Sequence, residues 1–171
     1  MIITIDVVKS CNDWDRFKEL IAKNYLKKVA ATTVEHFKCF AGKKIQLTLL
    51  LTDDAYIKDL NFKFRNINKS TNVLSFPDQQ INYQDIENIA WPSLIYLGDI
   101  AFSIDTLIKE AKMFDFSILD HFTHLFVHSI LHLLGFDHEN DSDADAMESF
   151  EINILQSLNI PNPYLNKHYQ L

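Results

Sequence analysis

Residues 128–138 read H-S-I-L-H-L-L-G-F-D-H, in which three histidines and one glycine follow the pattern H-x-x-x-H-x-x-G-x-x-H. His128 and His132 are four residues apart, so on an α-helix they share one face and lie roughly 6 Å apart along its axis. Gly135 permits the left-handed conformation that ends a helix, and a chain that turns back there can bring His138 to the same point. Three imidazoles that converge in this way are typical of a catalytic zinc site, in which a fourth position stays open.

The histidine spacing matches the long zinc-protease motif H-E-x-x-H-x-x-G-x-x-H, with one position different. Ser129 stands where that motif has its general-base glutamate, and a serine hydroxyl does not accept a proton at neutral pH. The sequence therefore predicts one zinc ion per chain, held by His128, His132 and His138, and disfavours the usual route of peptide hydrolysis. Three neutral imidazoles would also accept Ni²⁺ or Co²⁺.

Further polar residues accompany this motif. His121 and His124 lie one and two turns earlier on the same helix face, within about 80° of the two helical histidines of the motif. They are interpreted as buried histidines satisfied by backbone carbonyls, or as residues that orient ligands or line the cleft. Asp137 either forms a hydrogen bond with a ligand imidazole or caps the loop after the helix.

The length of 171 residues, with 47% hydrophobic and 23% charged residues, predicts a single globular domain. We expect this domain to cover residues 1–160 and a loose C-terminal tail to cover 161–171. Early strands and late helices predict an α+β fold with a single small mixed β-sheet packed by helices. Predicted strands cover 2–8, 45–51, 71–76 and 94–103, predicted helices cover 13–35, 53–65, 104–114, 117–134 and 143–158, and a flexible loop is expected at 78–92.

The N-terminus, the lack of a long apolar run and the cysteines favour a cytoplasmic protein. The first residues lack the features of a signal peptide, no apolar run is long enough to cross a bilayer, and Cys11 and Cys39 are expected to be reduced.

The net charge of −7 argues weakly against a nucleic-acid partner, although it leaves room for a local basic cleft. Six acidic residues after the histidine motif are interpreted as solvated surface: Glu139, Asp141, Asp143, Asp145, Glu148 and Glu151.

Four segments of the chain resemble segments of the YbeY endoribonuclease family, and they follow one another in the same order as in the family. Members of this family are also described as rRNA maturation factors. The histidine segment is similar to the family's H-G-x-L-H-L-x-G-Y-D-H, and L-N-x-x-F-R at 60–65 is similar to its L-N-x-x-Y-R. S-T-N-V-L-S-F-P at 70–77 resembles x-T-D-V-L-S-F-P, and L-G-D-I at 97–100 resembles the family's L-G-D-I strand. Departures from the pattern include Ser129 in place of glycine, Phe136 in place of tyrosine and Asn72 in place of aspartate.

The resemblance implies roles for particular residues. It makes His128, His132 and His138 the zinc ligands and Arg65 the functional arginine near the cleft, with Arg65 and His128 as the catalytic residues. A planar guanidinium suits the bidentate capture of a phosphate, whereas an arbitrary arginine at a helix end more often forms a surface salt bridge. The neighbouring residues Lys63 and Lys69 are predicted to add to the positive field around the substrate.

The function that the resemblance implies is that of a zinc-dependent endoribonuclease for single-stranded RNA. It would act in rRNA maturation, at the 3′ end of 16S rRNA, and in ribosome quality control. The expected partners are rRNA and the small ribosomal subunit or its assembly factors, with no membrane and no DNA. Attack by water and attack by the RNA's own 2′-hydroxyl both stay open.

Two other functions are compatible with the sequence. One is a non-catalytic ribosome-assembly factor with a structural metal, which a fourth protein ligand from His124 or Asp137 would favour, because structural zinc is normally closed by four protein ligands. The other is a zinc peptidase or amidase, which the motif spacing favours and Ser129 disfavours.

Overall fold

The computed structural model describes residues 1–138, 140–166 and 169. Glu139, one of the predicted surface acids, lies outside the described residues, as do residues 167, 168, 170 and 171 of the predicted tail. The chain has an α+β fold with one mixed sheet packed by helices, which confirms the predicted fold class. Among the described residues, no helix combines the length and apolar character needed to cross a membrane.

The described residues form four strands, five α-helices and four short 3₁₀ helices. The strands are β1 (Ile2–Lys9), β2 (Lys44–Thr52), β3 (Val73–Pro77) and β4 (Leu94–Ser103). The α-helices are α1 (Lys23–Val34), α2 (Asp54–Arg65), α3 (Ile104–Met113), α4 (Ile118–Leu133) and α5 (Asp141–Ser157). The 3₁₀ helices cover Asp13–Arg16, Lys38–Phe40, Tyr83–Asn88 and Pro163–Leu165.

The sheet has the strand order β1-β2-β4-β3. β1, β2 and β4 are parallel, and β3 pairs antiparallel with β4 at the edge. The parallel neighbours are joined through helices, as crossover connections require, because two parallel strands cannot be linked by a tight turn. Val73 to Pro77 therefore lies next to the strand that leads directly into α3.

Helix α4 occupies the centre of the molecule. It packs against α1, α3, α5 and β3, and twelve of its sixteen residues are buried. Its N-terminus is capped by the Ser117 hydroxyl, which accepts a hydrogen bond from the Asp120 amide at 3.0 Å. A helix packed on several sides has little freedom to move, so the face that carries the histidines is held by the hydrophobic core itself.

The predicted helix over 13–35 is wrong for residues 13–22. A 3₁₀ turn covers Asp13–Arg16, and the α-helix begins only at Lys23. Trp14 and Leu20 are fully buried, and the Trp14 indole nitrogen donates a hydrogen bond to the Thr52 carbonyl oxygen at 3.0 Å. The chain bends because these side chains anchor it to the core, and the apolar spacing that suggests a helix comes from those tertiary contacts.

The segment 78–92 is also more ordered than the sequence predicts. It contains the 3₁₀ helix Tyr83–Asn88, and its Ile86 and Trp91 side chains are buried. The Trp91 indole nitrogen donates to the Ile86 carbonyl oxygen at 3.1 Å, so the segment also closes on itself. A polar composition therefore conceals two apolar anchors that fix this connection to the core.

Candidate metal centre

The three motif histidines come together at the C-terminal end of α4. His128 and His132 lie on the helix, Gly135 follows it with a φ of +86°, and the loop returns His138 to the same place. One ligand nitrogen from each histidine lies within 4.8 Å of the other two. The convergence expected from the sequence is therefore present, while the role of these residues as metal ligands stays a prediction.

The hydrogen bonds of two of these rings show which nitrogen is free. The His132 Nδ1 lies 2.9 Å from the Phe136 carbonyl oxygen, and the His128 Nδ1 lies 2.7 Å from a carboxylate oxygen of Glu151. A carbonyl and an ionised carboxylate only accept hydrogen bonds, so each ring donates through its Nδ1–H and keeps a lone pair on Nε2. This assignment leaves two unprotonated nitrogens facing the centre of the cluster.

The distance between those two nitrogens fits a shared cation. The Nε2 atoms of His128 and His132 are 3.0 Å apart, a separation at which two lone pairs repel and cannot form a hydrogen bond. Two imidazoles on a tetrahedral zinc ion, with bonds of 2.0–2.1 Å, have their nitrogens about 3.3 Å apart. The residues present therefore fit a zinc ion, by both donor chemistry and spacing.

The ionisation states around the cluster support the same arrangement. Burial, together with the neighbouring His128, lowers the pKa of His132 to about 4, so this imidazole is neutral at neutral pH. Burial by itself raises the pKa of the Glu151 carboxyl, but hydrogen bonds with His124 and His128 outweigh burial and hold the pKa below its ordinary value. At neutral pH a buried anion thus lies directly behind a metal-ligand candidate.

Glu151 corrects the prediction that the acidic residues after the motif are solvated surface. Glu151 is only 1% exposed to solvent, and it lies on α5 behind His128. The sequence contained a signal for this burial, since Glu151 stands in the apolar stripe of α5 with Met147, Ile154 and Leu155. A charged residue inside an apolar stripe indicates a buried and paired carboxylate.

The predicted outer residues take different places. His124 is buried, and its Nε2 lies 2.7 Å from Glu151, so it touches the carboxylate behind the cluster and is not part of the cluster. His121 pairs with Glu110 at 2.9 Å, which is a side-chain partner and not the predicted backbone carbonyl. The Asp137 carboxylate accepts a hydrogen bond from the His138 amide at 2.7 Å, which is the capping role. Within the described part of the chain, the cluster contains three histidines and no fourth ligand.

Arg65 faces the same cavity as the histidines. This cavity of about 440 Å³ is lined by the three histidines together with Arg65, Lys69 and Lys109. Arg65 is exposed at the end of α2, and no salt bridge or hydrogen bond to its guanidinium is found among the described residues. The alternative role of Arg65, a surface salt bridge, therefore has no support among the described residues.

The lysines around Arg65 are not equivalent. Lys69 lines the cavity, whereas Lys63 is not among its lining residues and has its ammonium 5.2 Å from the centre of the Phe64 ring. Lys109 reaches the cavity from α3 and was not singled out from the sequence, because an exposed helical lysine carries no motif. Ser129 is fully buried inside α4 and does not line the cavity.

Gly135 is expected to tolerate no side chain. A Cβ atom at this position would lie 2.2 Å from the Ile81 carbonyl oxygen, in addition to the strain of a positive φ. We expect Gly135→Ala to lower the free energy of unfolding by about 3 kcal/mol. Gly42→Ala is the matched control, because Gly42 also has a positive φ but has no heavy atom within 4 Å of the added Cβ, and it should cost about 1 kcal/mol. Equal losses in urea-induced unfolding would show that the contact with Ile81 is unimportant.

Comparisons with known proteins point to one family. The model of the family described as "Endoribonuclease YbeY" matches residues 10–159. The curated protein "Endoribonuclease YbeY" of Bartonella quintana (strain Toulouse) is 39% identical over 163 residues, which are 95% of this chain and 98% of that protein. The solution structure of TM1509 from Thermotoga maritima is similar in fold, with a TM-score of 0.52 and 19% identity over 91% of this chain and 92% of that chain.

Proposed function

This chain belongs to the YbeY endoribonuclease family, and from that premise we propose that it is a metal-dependent endonuclease for single-stranded RNA. The observation that carries the proposal is the shared cavity, in which an arginine without a protein partner among the described residues faces three converging imidazoles. Such a pairing suits a phosphodiester, because the metal and the guanidinium can both contact its oxygens.

Each residue has a specific role in this proposal. His128, His132 and His138 hold one metal ion per chain, for which Zn²⁺ is the first choice and Ni²⁺ or Co²⁺ also fit. When bound, zinc supplies Lewis-acid chemistry, since it polarises a phosphoryl oxygen and lowers the pKa of water. Arg65 binds the non-bridging oxygens of the scissile phosphate through its planar fork of N–H donors.

The lysines extend the binding surface. Lys69 and Lys109 line the cavity and attract the phosphates on either side of the scissile one. Lys63 lies against the Phe64 ring. Its contribution in this proposal is limited to the long-range positive electrostatic field. His124 contacts the cluster through Glu151 and through an edge-to-face contact of its ring with that of His128. Asp137 stabilises the loop that carries His138.

We further propose a cytoplasmic role in rRNA maturation, at the 3′ end of 16S rRNA, and in ribosome quality control. Support comes from the resemblance to rRNA maturation factors. The net charge of −7 repels RNA at long range, so we propose that a partner delivers the substrate. A small ribosomal subunit or an assembly factor that presents a single strand to the local basic cavity would overcome this repulsion. We assign the core of the hydrolase domain to residues 1–160, against which Tyr164 and Tyr169 of the following segment pack.

Neither alternative function has comparable support. A structural metal would favour four protein ligands, and the described residues offer three. A peptidase of the usual type needs a carboxylate beside the metal in place of Ser129, whose side chain is buried inside α4.

The test is an assay of the purified protein on single-stranded and duplex rRNA fragments, with casein in parallel. We expect cleavage of the single strand only, loss of cleavage in a chelator, and its return when zinc is added. Products that end in a cyclic phosphate would assign the attack to the RNA's 2′-hydroxyl. One bound zinc per chain without RNA cleavage would instead indicate an assembly factor. Cleavage of casein that a chelator abolishes would indicate a peptidase.

A further inference from the structure

We propose that Glu151 is a positioning residue of the metal centre, and that Tyr164 and Tyr169 of the C-terminal segment hold it in place. The inference rests on the proposed metal site and is independent of whether the chain cleaves RNA. Its basis is a set of buried hydrogen bonds that starts at His128 and ends in residues beyond α5.

Both oxygens of the Glu151 carboxylate are occupied. One oxygen accepts from the His128 Nδ1 at 2.7 Å, and the other accepts from the His124 Nε2 at 2.7 Å and from the Tyr164 hydroxyl. A carboxylate that is 1% exposed is costly unless hydrogen bonds compensate for lost hydration. Three donors on one carboxylate therefore define a single orientation for it.

The direction of each hydrogen bond follows from the chain of partners. The Tyr169 hydroxyl lies 3.1 Å from the His124 Nδ1 and donates to it, which leaves the proton of that imidazole on Nε2, facing Glu151. His128 likewise donates from Nδ1, and its Nε2 lone pair is left facing His132. The protons of His128 Nδ1, His124 Nε2 and the Tyr164 hydroxyl thus point towards Glu151. This is the arrangement that makes His128 a metal ligand through Nε2.

The C-terminal segment takes part in this network. Tyr164 lies in the 3₁₀ helix Pro163–Leu165, and Tyr169 is 5% exposed, with its ring packed edge-on against Phe114 and Phe116. The expectation of a loose tail does not hold for these two residues. Because they brace the carboxylate and its partner imidazole, the segment after α5 belongs to the metal centre in function.

The experiment measures zinc affinity of the full-length protein by competition with a chromophoric chelator. We expect Glu151→Gln, which keeps the size of the side chain but removes its charge, to weaken zinc binding about 10–100-fold. Tyr164→Phe and Tyr169→Phe each remove one hydroxyl and should weaken it by about 3–10-fold. Glu148→Gln is the matched control, since Glu148 is an exposed glutamate one turn earlier on α5, and it should change affinity less than about threefold.

Two further measurements separate positioning from general stability. The free energy of unfolding of the metal-free variants shows whether each one folds, and long-range ¹H–¹⁵N NMR of the metal-free protein reports the tautomer of His128. We expect the Nδ1–H form in the wild type and a mixture of forms in Glu151→Gln. A folded Glu151→Gln protein with the affinity of Glu148→Gln and an unchanged tautomer would overturn the inference alone, whereas a wild-type protein without zinc affinity would overturn the proposed metal centre as well.

Discussion

His138→Ala is expected to abolish stoichiometric zinc binding and RNA cleavage while the metal-free protein keeps its fold. The ring of His138 is exposed in a loop, and among the described residues its side chain forms no hydrogen bond, so its removal leaves the core intact. Loss of an outer partner of a metal ligand already lowers metal affinity about 10–100-fold, so loss of one of three ligands should exceed about 100-fold. Cleavage should fall with the bound metal.

The measurement combines metal content after dialysis, zinc affinity and the rate of single-strand cleavage for the same preparations. His36→Ala is the control, because His36 is exposed on the loop after α1 and belongs neither to the cluster nor to the lining of the cavity. It should retain wild-type zinc content and activity. Full zinc binding by His138→Ala, with unfolding unchanged, would remove His138 from the ligand set and leave the loop return without a function.

Arg65→Ala is expected to reduce kcat/KM for single-stranded RNA about 10²–10³-fold without loss of bound zinc. The guanidinium lines the cavity beside the histidines and has no protein partner among the described residues, so its removal leaves no buried charge unpaired. The predicted loss is therefore one of substrate and transition-state contacts, and stability should stay within about 0.5 kcal/mol of the wild type. Arg65→Lys should recover only part of the rate, because an ammonium cannot form the bidentate contact.

Arg16→Ala is the matched control for this prediction. Arg16 is the second of the two arginines in the chain, and its guanidinium lies 5.8 Å from the centre of the Phe17 ring, away from the cavity. It should cleave RNA at the wild-type rate. If Arg65→Ala and Arg16→Ala were equally active, Arg65 would have no role in catalysis and the assembly-factor alternative would gain support.

Local physics made several features predictable from sequence alone. The motif spacing predicts that His128, His132 and His138 converge, because helix geometry and the left-handed residue Gly135 operate within eleven residues. Helix α2 begins where expected, since the Asp53 carboxylate accepts a hydrogen bond from the Tyr56 amide at 2.8 Å. These features depend on neighbours in sequence, so they can be seen without a structure.

Features that depend on distant contacts required the tertiary structure. Nothing within a few residues of Trp14 shows that its indole bonds to Thr52, so the bend before α1 was missed. The approach of Lys109 to the cavity depends on how α3 packs against α4.

The surroundings of the metal centre depend on such contacts most strongly. Glu151 contacts His128, which lies 23 residues earlier in the sequence. Tyr169 contacts His124, which lies 45 residues earlier. A sequence pattern can place ligands on one helix face, but the desolvation of a carboxylate and the partners that compensate for it are set only when α4, α5 and the C-terminal segment pack together. The sequence motif therefore identifies the residues that could bind the metal. The tertiary structure determines which residues orient them.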